Sequence, residues 1–185
     1  MIDDLIQDAV RRMDKSVETT QHEFNSIRTG RASAALLDHV SVDYYGTPTP
    51  LNQLSTINVP EPRMLTVQPF DPGSLKAIER AIMESDLGLT PSNDGKIIRL
   101  PIPQLTEERR KDLVKVVRQR AEDGRVAVRN VRRDVMHHLK ELVNKGEAQA
   151  DDEHRAEERV QKHTDEHVQK IDELLKRKEA EILEV

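Results

Sequence analysis

The chain has 185 residues, 34% of them charged and 36% hydrophobic, with a net charge of −5, which fits one large helix-rich domain or two small ones. Zero cysteines exclude a disulfide framework, thiolate catalysis and Cys-ligated zinc, and the negative balance is wrong for a generic nucleic-acid coat. The acidic start Met1-Ile2-Asp3-Asp4 does not read as a signal peptide and no apolar run approaches the roughly 18 residues of a membrane span, so a cytoplasmic protein is expected.

Ile2, Ile6, Ala9, Met13, Val17, Thr20, Phe24 and Ile27 alternate in three- and four-residue steps, the seam of an amphipathic helix, and Gly30 is expected to stop it. The pattern then changes. Val40, Val42 and Tyr44 alternate as a half-buried strand, and Tyr45-Gly46-Thr47-Pro48-Thr49-Pro50 is expected to break it as a stiff loop with one of the two tyrosines in the core. Leu51 to Val59 and Met64 to Phe70 read as two further strands. Ser74 reads as the N-cap of a helix carrying Leu75, Ile78, Ile82 and Met83. Thr90 to Gly95 is a turn cluster, and Ile97 to Leu100 a last strand before Pro101-Ile102-Pro103.

Helix resumes after Thr106, with Leu113, Val117, Ala121, Gly124, Val128, Val131, Val135, Leu139 and Leu142 in the same rhythm up to Gly146. A final helix begins near Asp151, with Val160, Thr164, Val168, Ile171, Leu175 and Ile182 facing inward. None of the three long helices can bury its stripe alone. The expected fold is therefore α+β, a long three-helix bundle (1–29 and 106–185) with a small β/α/β domain (30–105) inserted into it. Thr29, Gly30, Arg31, Pro101 and Pro103 mark the two crossings, where a hinge is expected.

Charge is uneven along the chain. Glu107 to Met136 carries ten Lys/Arg against six Asp/Glu, whereas Glu147 to Val185 carries seven against thirteen. On a wheel of about 100° per residue centred on Val128, the core positions fall between roughly −60° and +20°, and Arg132, Arg125, Arg118, Arg129 and Arg133 between roughly 40° and 140°. The bland reading is a solvated face paired with acids of the neighbouring helix. The last helix, however, offers its own self-neutralising spacings, Glu158–Lys162, Glu166–Lys170, Asp172–Lys176 and Glu173–Arg177, while the 125–133 run has few such partners. Guanidinium forks suit phosphate, so the stripe reads as a phosphate-backbone site. Only Phe24, Tyr44, Tyr45 and Phe70 are aromatic, too few for base stacking, which favours folded RNA read by shape.

His163 and His167 have a zinc-compatible i, i+4 spacing, but no Glu follows His163 as in metalloproteases, and a polar pair in a charged helix explains them better. No phosphate-binding loop or nucleophile elbow is present, so neither catalysis nor a cofactor or metal is expected. A coiled-coil adaptor would need apolar surface left over after bundle formation, and none is evident. A module that binds folded RNA is the nearer reading.

Ile27-Arg28-Thr29-Gly30-Arg31-Ala32-Ser33, Tyr44-Tyr45-Gly46-Thr47-Pro48, Leu105-Thr106-Glu107-Glu108-Arg109-Arg110 and Arg129-Asn130-Val131-Arg132-Arg133-Asp134 resemble, in order, motifs of the ribosome recycling factors, over essentially the whole chain. The resemblance implies an L-shaped, tRNA-like monomer that binds the large (50S) subunit of the post-termination ribosome. With elongation factor G and GTP it would promote subunit splitting, hydrolysing nothing itself. It further implies that Arg129, Arg132 and Arg133 contact large-subunit ribosomal RNA, with Arg28 and Arg110 as weaker candidates.

Overall fold

The computed structural model describes residues Met1–Glu184. In chain order the elements are α1 (Ile2–Asn25), β1 (Ser41–Tyr44), β2 (Thr47–Pro50), the single turn α2 (Leu51–Leu54), β3 (Ser55–Glu61), β4 (Met64–Pro69), α3 (Leu75–Glu84), β5 (Ser92–Asn93), β6 (Ile98–Pro101), α4 (Glu107–Asn144) and α5 (Ala150–Leu183). The chain divides into two compact units, one of Met1–Arg28 with Glu107–Glu184 and one of Thr29–Thr106. The fold is α+β, a long helical bundle and a small sheet domain.

In the first unit α1, α4 and α5 close their apolar stripes on one another. Ile6, Ala9, Met13, Thr20 and Phe24 of α1 are buried, as are Leu113, Val117, Ala121, Gly124, Val128, Val131, Val135 and Leu139 of α4. At Gly124 both neighbouring helices approach α4 closely. A Cβ there would lie 2.3 Å from Thr20 Oγ1 and 3.2 Å from Ile171 Cδ1. α4 ends as its sequence implies, with Gly146 at φ 72°, its N–H donating to Val143 O at 3.0 Å and that of Glu147 to Leu142 O at 2.9 Å. That double closure satisfies the last carbonyls in the manner of a Schellman cap.

Three expectations for the helices need correction. α1 stops at Asn25 and not at Gly30, because the Ser26 hydroxyl turns back to donate to Glu23 O at 2.7 Å and Ile27 N–H reaches only to Phe24 O. Gly30 uses its positive φ of 75° in the segment that follows. On α5 the inward position falls to His167, 3% exposed, with Val168 and Leu175 only half-buried. None of the four self-neutralising pairs expected on α5 closes to 4 Å among the described residues. Such exposed pairs contribute only about 0.2–0.5 kcal/mol, and Asp172 turns instead to Arg125 across the helices.

The second unit has a four-stranded antiparallel sheet in the order β3-β4-β6-β5 and a separate β1-β2 hairpin. Its core joins Val40, Val42 and Leu51 to Leu65, Val67, Ile98 and Leu100 of the sheet and to Leu75, Ile78 and Ile82 of α3. Met83, expected inside with them, is 62% exposed. Thr47–Pro50, expected as a loop, is a strand whose prolines lie where no ladder donor is required. The two tyrosines are not divided between core and surface, since Tyr44 is half-buried while Tyr45, at φ 51° in the turn, is 84% exposed. Leu51–Leu54, expected as the start of a strand, makes one helical turn that sends both leucines toward the core. Ser74 caps nothing with its side chain. Its hydroxyl donates to Asp71 O at 2.7 Å, and Asp71 takes the capping role by accepting from Gly73 N–H at 2.9 Å.

Candidate nucleic-acid interface

The 38-residue α4, about 57 Å long at 1.5 Å per residue, carries the arginine stripe. Burial of Val117, Ala121, Val128, Val131 and Val135 fixes its rotation, so the arginines emerge along the edge of the seam. They fall into two groups. Arg118 Nε donates to Glu179 Oε1 at 2.6 Å, and Arg125 donates through Nε to Asp172 Oδ1 at 2.7 Å and through Nη1 to Glu122 at 3.0 Å. Arg125 is 19% exposed. Burial works against its charged form, yet the Asp172 and Glu122 hydrogen bonds outweigh that and hold its pKa above the ordinary arginine value. These two arginines are paired with acids of α4 and α5.

Toward the C-terminus of the stripe the pairing thins. Arg129 has only Glu122, at 3.5 Å, and is 47% exposed. Arg132 is half-buried and donates through Nε to Gln161 Oε1 at 2.6 Å, a neutral partner that orients the fork and leaves its charge uncompensated. Arg133 is exposed and takes no ion pair or hydrogen bond among the described residues. The nearest acid in sequence, Asp134, is turned to α1, where Arg12 donates to it at 2.6 Å and holds its carboxyl below the usual carboxylate range. Arg129, Arg132 and Arg133 thus combine exposed or uncompensated charge on one rigid element, the arrangement that favours phosphate.

The remaining expected residues are more scattered. Arg110, on the first turn of α4, is half-buried, and its Nε is buried without a hydrogen-bond partner. Arg28 is exposed just after α1. Thr29 and Gly30 are buried and Arg31 is exposed. Pro101 belongs to β6, paired with Met64, and Ile102 N–H donates to Arg63 O at 2.8 Å, so regular structure lapses only from Ile102 through Pro103 to Thr106. One residue escaped the sequence reading. Val126 is 43% exposed on the face of Glu122, Arg129 and Arg133, and its signal was an apolar side chain off the seam.

Of the two histidines on α5, His167 is built into the bundle. His167 Nδ1 lies 2.5 Å from His163 O and its Nε2 2.6 Å from Asp14 Oδ1 on α1. Both ring nitrogens of His167 are thus engaged inside the bundle, by the His163 carbonyl and by Asp14. No cluster of three or more metal-ligating side chains occurs, and no helix is long and apolar enough to cross a membrane, among the described residues.

The chain as a whole has close counterparts in known proteins. The sequence model for the ribosome recycling factor family matches residues 20–183. The ribosome-recycling factor of Rubrobacter xylanophilus is 57% identical over 180 residues, 97% of each chain, and that of Geobacillus kaustophilus 54% identical over 185 residues, all of both chains. Among solved structures, a solution structure of the ribosome recycling factor superposes with a TM-score of 0.79 at 41% identity, covering 100% of this chain and 98% of that one. The T. thermophilus ribosome recycling factor, described with E. coli elongation factor G on the E. coli post-termination complex, gives a TM-score of 0.68 at 50% identity over 99% of both chains. With the family model matched over residues 20–183 and relatives more than half identical along the whole chain, the chain belongs to the ribosome recycling factor family.

Proposed function

We propose that this chain is a non-enzymatic translation factor of the cytoplasm that binds the post-termination ribosome as a monomer and, with elongation factor G and GTP, promotes subunit splitting. The observation that carries the reading is the set of Arg129, Arg132 and Arg133, whose charge is left largely uncompensated while Arg118 and Arg125 are neutralised. Large-subunit ribosomal RNA is the polyanion that this set addresses, by phosphate and shape rather than by sequence. Arg28 and Arg110 are secondary contacts. The T. thermophilus relative, seen with elongation factor G on a post-termination complex, supports the choice of partners. The crossings at Thr29-Gly30-Arg31 and from Pro101 to Pro103 act as a hinge through which the inserted domain transmits the push of elongation factor G.

Sedimentation with purified large subunits tests the reading. Arg132→Ala with Arg133→Ala should weaken binding at least about tenfold and flatten the log–log salt dependence by about 1.5, at 0.7–0.9 per lost phosphate contact. Arg125→Ala should instead lower bundle stability, because it leaves Asp172 without its partner. Unchanged affinity and salt slope in the folded double variant would refute the assignment. Equal binding to an unrelated folded RNA would favour an RNA-binding module that works away from the ribosome.

A further inference from the structure

The β1-β2 hairpin has two outer edges, and they differ in chemistry. Its two-residue turn, Tyr45-Gly46 at φ 51° and 81°, makes the flanking Tyr44↔Thr47 pair a hydrogen-bonded one. Alternation makes Val42↔Thr49 the next bonded pair, and Leu51 N–H donating to Val40 O at 3.1 Å continues the series. Ser41 and Asp43 therefore direct their N–H and C=O groups away from β2. The positions opposite them on β2 are Pro50 and Pro48, which have no N–H to offer. One edge of the hairpin is blocked against further pairing by two prolines. The other keeps two donors and two acceptors, with no partner for them among the described residues.

That open edge borders a groove of about 790 Å³ between β1 and α3. On the helix side Ala77 and Ala81, one turn apart, give it a wall of small side chains. Tyr44 OH donates to Asp71 Oδ2 at 3.4 Å, which ties the Tyr44 end of β1 to the segment just before α3. An unpaired strand edge beside a helix, with a groove between, is the setting in which an extended peptide adds a strand.

We propose that this groove receives an extended, neutral-to-basic segment of a protein partner as a third strand on β1, the partner being one that meets the chain in the recycling complex of the proposed function. Only a polypeptide supplies amides and carbonyls in the alternation that Ser41 and Asp43 require. The lining has three acids, Asp43, Glu84 and Asp86, against Lys76 and Arg80, and Arg80 is held by Glu84 at 2.9 Å. A phosphate backbone is repelled by that balance, whereas a strand carrying Lys or Arg fits it.

Hydrogen exchange of the His39–Tyr44 segment tests the proposal. It is followed in the chain alone, with protein-free ribosomal RNA, and with ribosomal subunits and elongation factor G bound to a non-hydrolysable GTP analogue. The Ser41 and Asp43 amides should slow about tenfold or more in the protein-containing assembly, as amides that gain a hydrogen-bond partner do, and not in the other two samples. Asp43→Pro and Ser41→Pro each delete one donor that the hairpin does not use, as Pro48 and Pro50 do on β2. Each should weaken assembly about fivefold, the loss of one backbone hydrogen bond, whereas Asp43→Asn keeps the donor and should bind at least as well as the parent. Unchanged exchange on the intact chain, in an assembly that sediments with large subunits, overturns the proposal while leaving the ribosome-binding function standing. Failure to sediment at all overturns that function. Protection by RNA alone, or protection that grows with the concentration of the chain alone, assigns the edge to RNA or to a second copy and also overturns it.

Discussion

Gly124→Ala sets two effects of opposite sign against each other at the point where α1, α4 and α5 converge. In a helix interior, Ala is favoured over Gly by about 1 kcal/mol. Here the new Cβ would lie 2.3 Å from Thr20 Oγ1, and overpacking of a filled core costs about 1–3 kcal/mol. The upper half of that range applies, because Thr20 is β-branched, 3% exposed, and held by donating to Ser16 O at 3.0 Å. The net expectation is a loss of about 1–2 kcal/mol. Thr20→Ala removes the obstructing oxygen, after which the nearest remaining contacts are Ile171 Cδ1 at 3.2 Å and the residue 20 Cβ at 3.4 Å. In that background Gly124→Ala should stabilise by about 0.5–1 kcal/mol, so the sign reverses and the coupling is about 2 kcal/mol. Urea unfolding of the four proteins, followed by far-UV circular dichroism, reads it. Stabilisation by Gly124→Ala in both backgrounds, or a coupling under about 0.5 kcal/mol, would refute the claim that the glycine is there for close approach.

Two other perturbations address the β5-β6 turn and the buried histidine. Asp94 accepts from the Lys96 and Ile97 amides and from Arg99, and these bonds lower its pKa from 3.8 to about 2. A carboxyl depressed on folding stabilises above its unfolded value, so this contribution is complete above about pH 4 and lost as the pH falls through 2. The stability gap between the parent and Asp94→Asn should close over that window, and a gap independent of pH would show that the turn does not depend on the charge. Asp14→Ala leaves the Nε2 of His167 buried without its acceptor and should destabilise the bundle by about 1–3 kcal/mol, while zinc or a chelator leaves the melting temperature of the parent unchanged. A melting temperature that moves with zinc would overturn the structural reading of His167.

Periodicity determined most of the architecture. A side chain every three or four residues has to face one way on a helix, so the seams of α1 and α4 and the return of α5 were legible from apolar spacing. Gly146 marked its cap for the same local reason, since the positive φ it adopts is strained for other residues. Local chemistry misled where two local outcomes were close in energy. Ser26 ended α1 before Gly30 could, Asp71 capped in place of Ser74, and Pro48 and Pro50 joined a strand because their missing N–H groups face away from β1. The stripe on α4 was legible as a stripe but not as a site. Which arginine meets an acid depends on how α4 and α5 are rotated and offset against each other, and that is fixed by the whole packed seam and not by any local spacing. The tertiary structure therefore decided that Asp172 and Glu179 neutralise Arg125 and Arg118, that His167 turns inward to Asp14, and that Arg129, Arg132 and Arg133 are left with charge to offer.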